Sequence, residues 1–360
     1  MRSVPPQPLV DLGLLARRLL HAAGDALLPG WALAWQRSMG IASTQVMAAM
    51  ADLGVADALA HKKSTAAQMA PRVGADADSL HRLLRAAAVH GLVRLDRRGR
   101  FGLTRTGRAL RSDAPATLAP WARYLGLKST RDAWGGLAES VRTGAPAFSR
   151  VHGSTVWDWF AEHPEEERLF ATAMRSLTEF DGPSLLSSDL WPEQGTVCDV
   201  AGGAGTLLAA VLAARPGLRG TLVEAPGVLM QAEANLRSKG LADRVELVEG
   251  DLLGTIEARA DVYVLKNILH DWDDETCARI LASVAATMPA RSRLLLVEQL
   301  QEPNRPHPFA SITDLQMLTQ CEGGRERSAA ELRGLLAAAG LTPGRIDRTG
   351  ASALVEGVAG

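Results

Sequence analysis

Cysteine is scarce in this chain: Cys198, Cys277 and Cys321 are the three among 360 residues, far apart and without a CxxC pair. That excludes a disulfide framework or a zinc ribbon and points to a reducing compartment, the cytoplasm. Charge of either sign is not in excess. With 39 basic and 40 acidic residues the formal net charge is −1, so no global field draws the protein to nucleic acid or to an anionic membrane. Long apolar runs are missing too. The apolar N-terminal stretch is broken by Arg17, Arg18, His21 and Asp25 before it reaches the ~20 residues of a bilayer span. It also lacks the small-residue cleavage site of a signal peptide, which leaves a packing helix. No internal repeat or low-complexity segment stands out.

What is present is 47% hydrophobic and 22% charged, the balance of a soluble globular protein. The length suits two domains better than one core, and two halves separate by pattern, 1–185 and 186–360. In the first, Leu80, Leu83, Leu84, Ala87 and Leu92 recur at helical spacing. Thr65-Ala-Ala-Gln68 has capping-box form and Gly91 sits where a helix stops. Residues 92–95 and 101–104 around Arg98-Gly99-Arg100 read as a hairpin, so the arrangement is helix, helix, hairpin: a winged helix. In the second half, short apolar runs at 196–200, 221–224, 245–248, 262–265 and 294–297 alternate with helical stretches such as 227–238 and 274–288. That alternation predicts an α/β, Rossmann-like domain with a mostly parallel sheet. Residues 345–348 and 353–356, around Gly350, read as an antiparallel pair that finishes it.

The first predicted strand runs into Asp199-Val-Ala-Gly-Gly-Ala-Gly205 and then an apolar helix. Glycines there let backbone approach a ligand, and a helix N-terminus favours negative charge. Such a turn serves nucleotides of many kinds, or is only a tight turn. Glu224 ends the next strand, where a carboxylate accepts from ribose hydroxyls, a feature that a dinucleotide enzyme shares. Gly250-Asp251-Leu252 follows the third strand, placing Asp251 either beside an adenine amino group or in a turn. After the fourth strand comes Lys266-Asn-Ile-Leu-His270-Asp271-Trp272-Asp273-Asp274-Glu275, at the carboxyl edge where ligands bind in such folds. A lone histidine is often structural. Here Glu298, ending the next strand, and Glu326, in Gly323-Gly-Arg-Glu-Arg327, are candidate carboxylates to fix the imidazole tautomer and raise its basicity.

These four motifs, in this order and spacing, resemble the class I small-molecule O-methyltransferases of plants and bacteria over about residues 35–358. The resemblance implies a mainly α, winged-helix dimerisation domain ahead of the Rossmann-like one, and hence a homodimer. It implies S-adenosylmethionine as cofactor, S-adenosylhomocysteine as product and no metal. The resemblance also assigns His270 as general base flanked by Glu298 and Glu326, with Asp199, Gly202, Glu224, Asp251, Leu252 and Lys266 around the cofactor. Ala201 and Trp272 join that set. Two positions depart from the family: Ala201 stands where glycine is usual and Glu224 where aspartate is usual. A phenol titrates near ~10, so a base such as histidine, ordinarily near ~6.5, helps at neutral pH.

The expected acceptor is a small, hydroxylated, aromatic molecule. Trp157, Trp159, Phe160, Phe170 and Met174 fall in the segment that joins the halves, and Met317 precedes Gly323-Gly324. The resemblance favours Phe170, Met174 and Met317 for the pocket, with Asn267 and Asp271. Three rival functions stand against this reading. Between Arg72 and Arg111 there are ten arginines and three aspartates, on a winged helix that fits a major groove. A regulator would expose the helix at 80–89, whereas the family buries it between subunits. Same-fold decarboxylases or hydroxylases tend to lack the histidine and its carboxylates. An N-methyltransferase needs no strong base.

Overall fold

The computed structural model describes residues 7–254 and 256–360. They divide into two compact units, one of residues 8–131 with 163–180 and the other of 132–162 with 181–360. The cut between residues 180 and 181 falls within the long helix Pro164–Leu185.

In the first unit the helix Ala66–Val73 begins with the expected capping box: Thr65 and Gln68 exchange side-chain to backbone hydrogen bonds. Asp76 caps the next helix, Ala77–Val89, by accepting from the Ser79 N–H at 2.8 Å. Gly91 follows at φ +69°, a left-handed conformation that glycine adopts without a Cβ penalty. The chain then enters the antiparallel hairpin of β1 (Val93–Leu95) and β2 (Phe101–Leu103). Leu80, Leu84, Ala87, Met69, Met50 and Phe101 form its core. Ahead of this core, the helix Gly30–Ser38 buries no residue.

The second unit is built on a seven-stranded sheet. Its strands are β3 (Gln194–Val200), β4 (Gly217–Glu224), β5 (Val245–Glu249), β6 (Val262–Lys266), β7 (Arg293–Glu298), β8 (Thr342–Thr349) and β9 (Ser352–Val358). The spatial order is β5-β4-β3-β6-β7-β9-β8, with the first five parallel and the last two antiparallel. Each apolar run read from the sequence is the interior of one of these strands. Side chains alternate between two cores. Cys198, Tyr263, Leu294 and Val355 meet the helices Asp274–Thr287 and Ala329–Ala338, while Val197, Val262, Leu295 and Leu354 meet Thr206–Ala214 and Pro226–Ser238. Burying both faces this way is what parallel sheets require. The strand order reverses at β3, whose neighbours are β4 and β6, so the crevice outside the carboxyl ends of β3 and β6 is the binding edge. Asp199, Glu224, Lys266 and Glu298 lie at or next to the carboxyl ends of β3, β4, β6 and β7.

Candidate active site

The glycine-rich turn is shaped by contact as much as by flexibility. A Cβ on Gly202 would stand 2.5 Å from Cγ of Asp199 and 2.5 Å from Leu222, so only glycine fits. Ala201 has φ +54°, a region costly to any residue with a Cβ. That explains physically why glycine is usual there. Glu224 reaches back into the turn: its Oε2 accepts from the Gly203 N–H and its Oε1 from the Ala225 N–H, both at 2.9 Å. The extra methylene over aspartate is what spans to the turn.

Asp199 is 2% exposed and its Oδ2 has no hydrogen-bond partner. Burial pushes its carboxyl up to about 7, against the pull of Lys266 and with the help of Glu224. An orphaned, buried acceptor beside a glycine cradle fits a cationic ligand group such as the ammonium of S-adenosylmethionine. Lys266 is drawn the other way: burial lowers its pKa while Asp181, Glu298 and Asp199 support its charge. Asp251 is exposed and its Oδ1 accepts from the Leu253 N–H at 3.0 Å, a turn contact. Leu252 packs on the core with Trp272. Trp272 stacks on Trp157 with ring centres 6.2 Å apart and 19° between planes.

His270 sits in the short 3₁₀ turn Leu269–Asp271 just beyond β6. Asn267 carries the chain round at φ +53°, its N–H donating to Val297 O at 3.0 Å. Glu298 fixes the turn by its backbone, its Oε1 accepting from the N–H groups of Ile268 (3.1 Å) and Leu269 (2.9 Å). The imidazole Nδ1 lies 3.2 Å from Glu326 Oε1 and 3.5 Å from Glu298 Oε2, and Nε2 lies 3.6 Å from Asp271 Oδ1. Burial alone would discharge this ring. The carboxylates of Glu326, Asp271 and Glu298 outweigh it and raise the imidazole to about 10. Burial lifts Glu298 to about 7 and Asp271 to about 6, both opposed by His270. The ordinary histidine value assumed from sequence is therefore corrected upward. His270, Asp271 and Glu298 lie close enough for their titrations to be coupled.

The second glycine motif exists to lie on this turn. A Cβ on Gly324 would stand 2.8 Å from His270 O, and Gly323, at φ +72°, abuts Asp273. One residue of that motif had no role in the sequence reading. Arg327, 2% exposed, donates to Leu269 O (2.5 Å), Trp272 O (2.7 Å) and Asp274 Oδ1 (2.9 Å), clamping both ends of the histidine turn. The signal was available, since a buried arginine needs partners, but nothing in the sequence says which carbonyls supply them.

Of the acceptor-pocket candidates, Met317 is buried on the helix Ala310–Gln320, within the second unit. Asn267 and Asp271 flank the histidine turn, and the Asn267 Oδ1 is buried without a partner. Phe170 and Met174 are half-buried on Pro164–Leu185 in the first unit, where Phe170 meets Tyr124 at 5.4 Å between ring centres. Trp159 packs with Phe148 and His152, and Phe160 is buried against Trp157.

Comparison with known proteins shows the family. Residues 134–342 match the O-methyltransferase domain family and residues 35–113 the O-methyltransferase dimerisation domain. The chain is 37% identical over 312 residues to the O-demethylpuromycin-O-methyltransferase of Streptomyces alboniger, covering 85% of this chain and 82% of that one. Among solved structures, the mitomycin 7-O-methyltransferase superposes with a TM-score of 0.83 at 34% identity, over 95% of this chain and 100% of that one. An O-methyltransferase from neocarzinostatin biosynthesis, solved with S-adenosylmethionine and 2-hydroxy-5-methyl naphthoic acid, gives 0.74 at 34% identity, over 88% and 96%.

Proposed function

The chain belongs to the O-methyltransferase family, whose methyl donor is S-adenosylmethionine, and we propose that it methylates a phenolic hydroxyl of a small natural-product-type acceptor with His270 as base. The observation that carries this reading is the contact of His270 Nδ1 with Glu326 and Glu298. In the neutral ring, the form that acts as base, the carboxylates keep the one proton on Nδ1 and leave the lone pair on Nε2, and with the imidazole raised to about 10 this form grows as pH rises. Nε2 takes the hydroxyl proton, and the nearby carboxylates stabilise the imidazolium that forms. When bound, S-adenosylmethionine supplies a sulfonium methyl group, an electrophile that needs no metal. Asp199 would hold the donor's ammonium, Glu224 its ribose, and Leu252 and Trp272 its adenine. Lys266 balances the buried acids between these two ends. The dry walls around His270 strengthen the attraction between an ionised hydroxyl and a sulfonium.

An amine acceptor would leave this cluster idle, which places N-methylation second. A homodimer is part of the reading. Leu19, Leu20, Leu27, Trp31 and Trp35 are each more than 60% exposed, residues 35–113 are of dimerisation type, and exposed apolar patches of this kind mark interfaces. Among the described residues no helix is long and apolar enough to cross a membrane. Three buried free cysteines support the cytoplasm as location.

The test is incubation with S-adenosylmethionine and a panel of phenols and aromatic amines, read by mass spectrometry. O-methylated phenols are expected. Products methylated only on nitrogen would overturn the reading. Light scattering at micromolar concentration should show a dimer, and a fully active monomer would refute it.

A further inference from the structure

We propose that His270, Glu298 and Glu326 also form a capture site for a first-row divalent cation, Zn²⁺ or Co²⁺ in chemistry, and that a cation held there silences the base. One nitrogen and two carboxylate oxygens converge: the three ligand atoms all lie within 4.8 Å of one another. The edges from Nδ1 measure 3.2 Å to Glu326 and 3.5 Å to Glu298. With metal–ligand bonds of ~2.0–2.2 Å, the edge of a tetrahedral shell is ~3.3–3.6 Å, so the two edges from Nδ1 are already close to the length that a bound ion requires.

A second observation is independent of that spacing. Oε2 of Glu298 and Oε2 of Glu326 are both buried without a hydrogen-bond partner, on side chains 3% and 0% exposed. Orphaned buried carboxylate oxygens are costly, and a cation beside Nδ1 satisfies Oε2 of Glu298 directly and neutralises the Glu326 carboxylate through Oε1. The ligands are held in advance. Glu298 is fixed by the Ile268 and Leu269 N–H groups, and the Glu326 N–H donates to Asp314 at 2.9 Å. Asp271 faces Nε2 instead and stays outside the set. One imidazole and two carboxylates, with a fourth position open, is a donor set that suits zinc and cobalt.

The consequence for turnover rests on the base reading above. A cation needs the lone pair of Nδ1, so the single proton of the neutral ring must leave Nδ1 and return, through solvent, on Nε2. That is the reverse of the tautomer catalysis needs, and Nε2 then has no lone pair for the acceptor. The cation is an antagonist, not a cofactor.

Cobalt titration of the full-length, chelator-treated protein tests this by visible absorption, with activity followed in parallel. The expected result is a saturable one-equivalent band of low-coordinate cobalt, turnover falling in step and restored by chelator, and S-adenosylmethionine affinity unchanged. Glu298→Gln and Glu326→Gln should each weaken cobalt binding at least ~10-fold, as loss of a charged ligand does, with retained cofactor binding showing that they fold. Should either variant fail to bind cofactor, X-ray absorption of the cobalt-loaded wild type decides. One imidazole with oxygen ligands supports the site. An all-water or multi-imidazole shell overturns it, as does an absent band or a titration identical in both variants. Cobalt bound with turnover unchanged would support the cation site and refute the base role of His270, so the two failures are distinct.

Discussion

Nδ1 of His270 lies 3.2 Å from Oε1 of Glu326, a contact between residues 56 apart in the chain. It makes Glu326 a positioning residue, setting the ring's tautomer and supporting its charge. Glu326→Gln keeps the shape and removes the charge. Turnover should fall by ~10–100-fold while cofactor affinity holds. Because ionised Glu326 helps raise the imidazole to about 10, its loss lowers that value. The acidic limb of the pH–rate profile should therefore move to lower pH, beneath a lower plateau. Parallel profiles of wild type and variant check both effects, and a limb that moves up would contradict the assignment.

Asp199 makes cofactor affinity pH-dependent. Its carboxyl, pushed up to about 7 by burial, is neutral below that pH and cannot pair with an ammonium. Affinity should rise as pH passes upward through this region, with proton release on binding. Asp199→Asn should flatten the dependence and weaken binding at pH 8 by ~1.5–3 kcal/mol. Calorimetry in buffers of different ionisation enthalpy measures both.

Arg327→Met would take the charged donor from Leu269 O and Trp272 O, leaving them the weaker Cys277 Sγ and, for Leu269 O, the Trp272 N–H, at a cost of ~1–3 kcal/mol in all. Thermal unfolding should drop accordingly, with turnover lost more steeply than cofactor binding. Arg327→Lys should rescue little, since an ammonium does not reproduce the planar fork that reaches both carbonyls and Asp274. Full rescue by lysine would show that charge alone matters.

Ala201→Gly relieves a left-handed Ala at φ +54°. Stability should rise by ~1 kcal/mol, whereas Ala201→Val should cost more than that. Denaturant titration decides between this and a neutral outcome.

The parallel sheet was legible because strands buried on both faces read as unbroken apolar runs, as in β6 and β7. The histidine turn was legible because its chemistry is written contiguously, from Lys266 to Glu275. Less was visible where partners are distant. Ser352 donates to Asp181 across 171 residues at 2.6 Å, and no local pattern marks the pair. Nor does sequence show that Glu224 bonds the glycine turn, that Trp157 stacks on Trp272, or that three carboxylates converge on one imidazole. Pairings of this kind depend on register and crossover, which periodicity does not carry.

The most direct measurement is single-turnover methyl transfer by His270→Ala at pH 7 against phenols of graded acidity. The account predicts a loss of ~100-fold or more on an ordinary phenol near ~10, shrinking as the acceptor becomes acidic enough to ionise unaided, with S-adenosylmethionine affinity unchanged throughout. Near-wild-type transfer to an ordinary phenol, or a loss that ignores acceptor acidity, would contradict it.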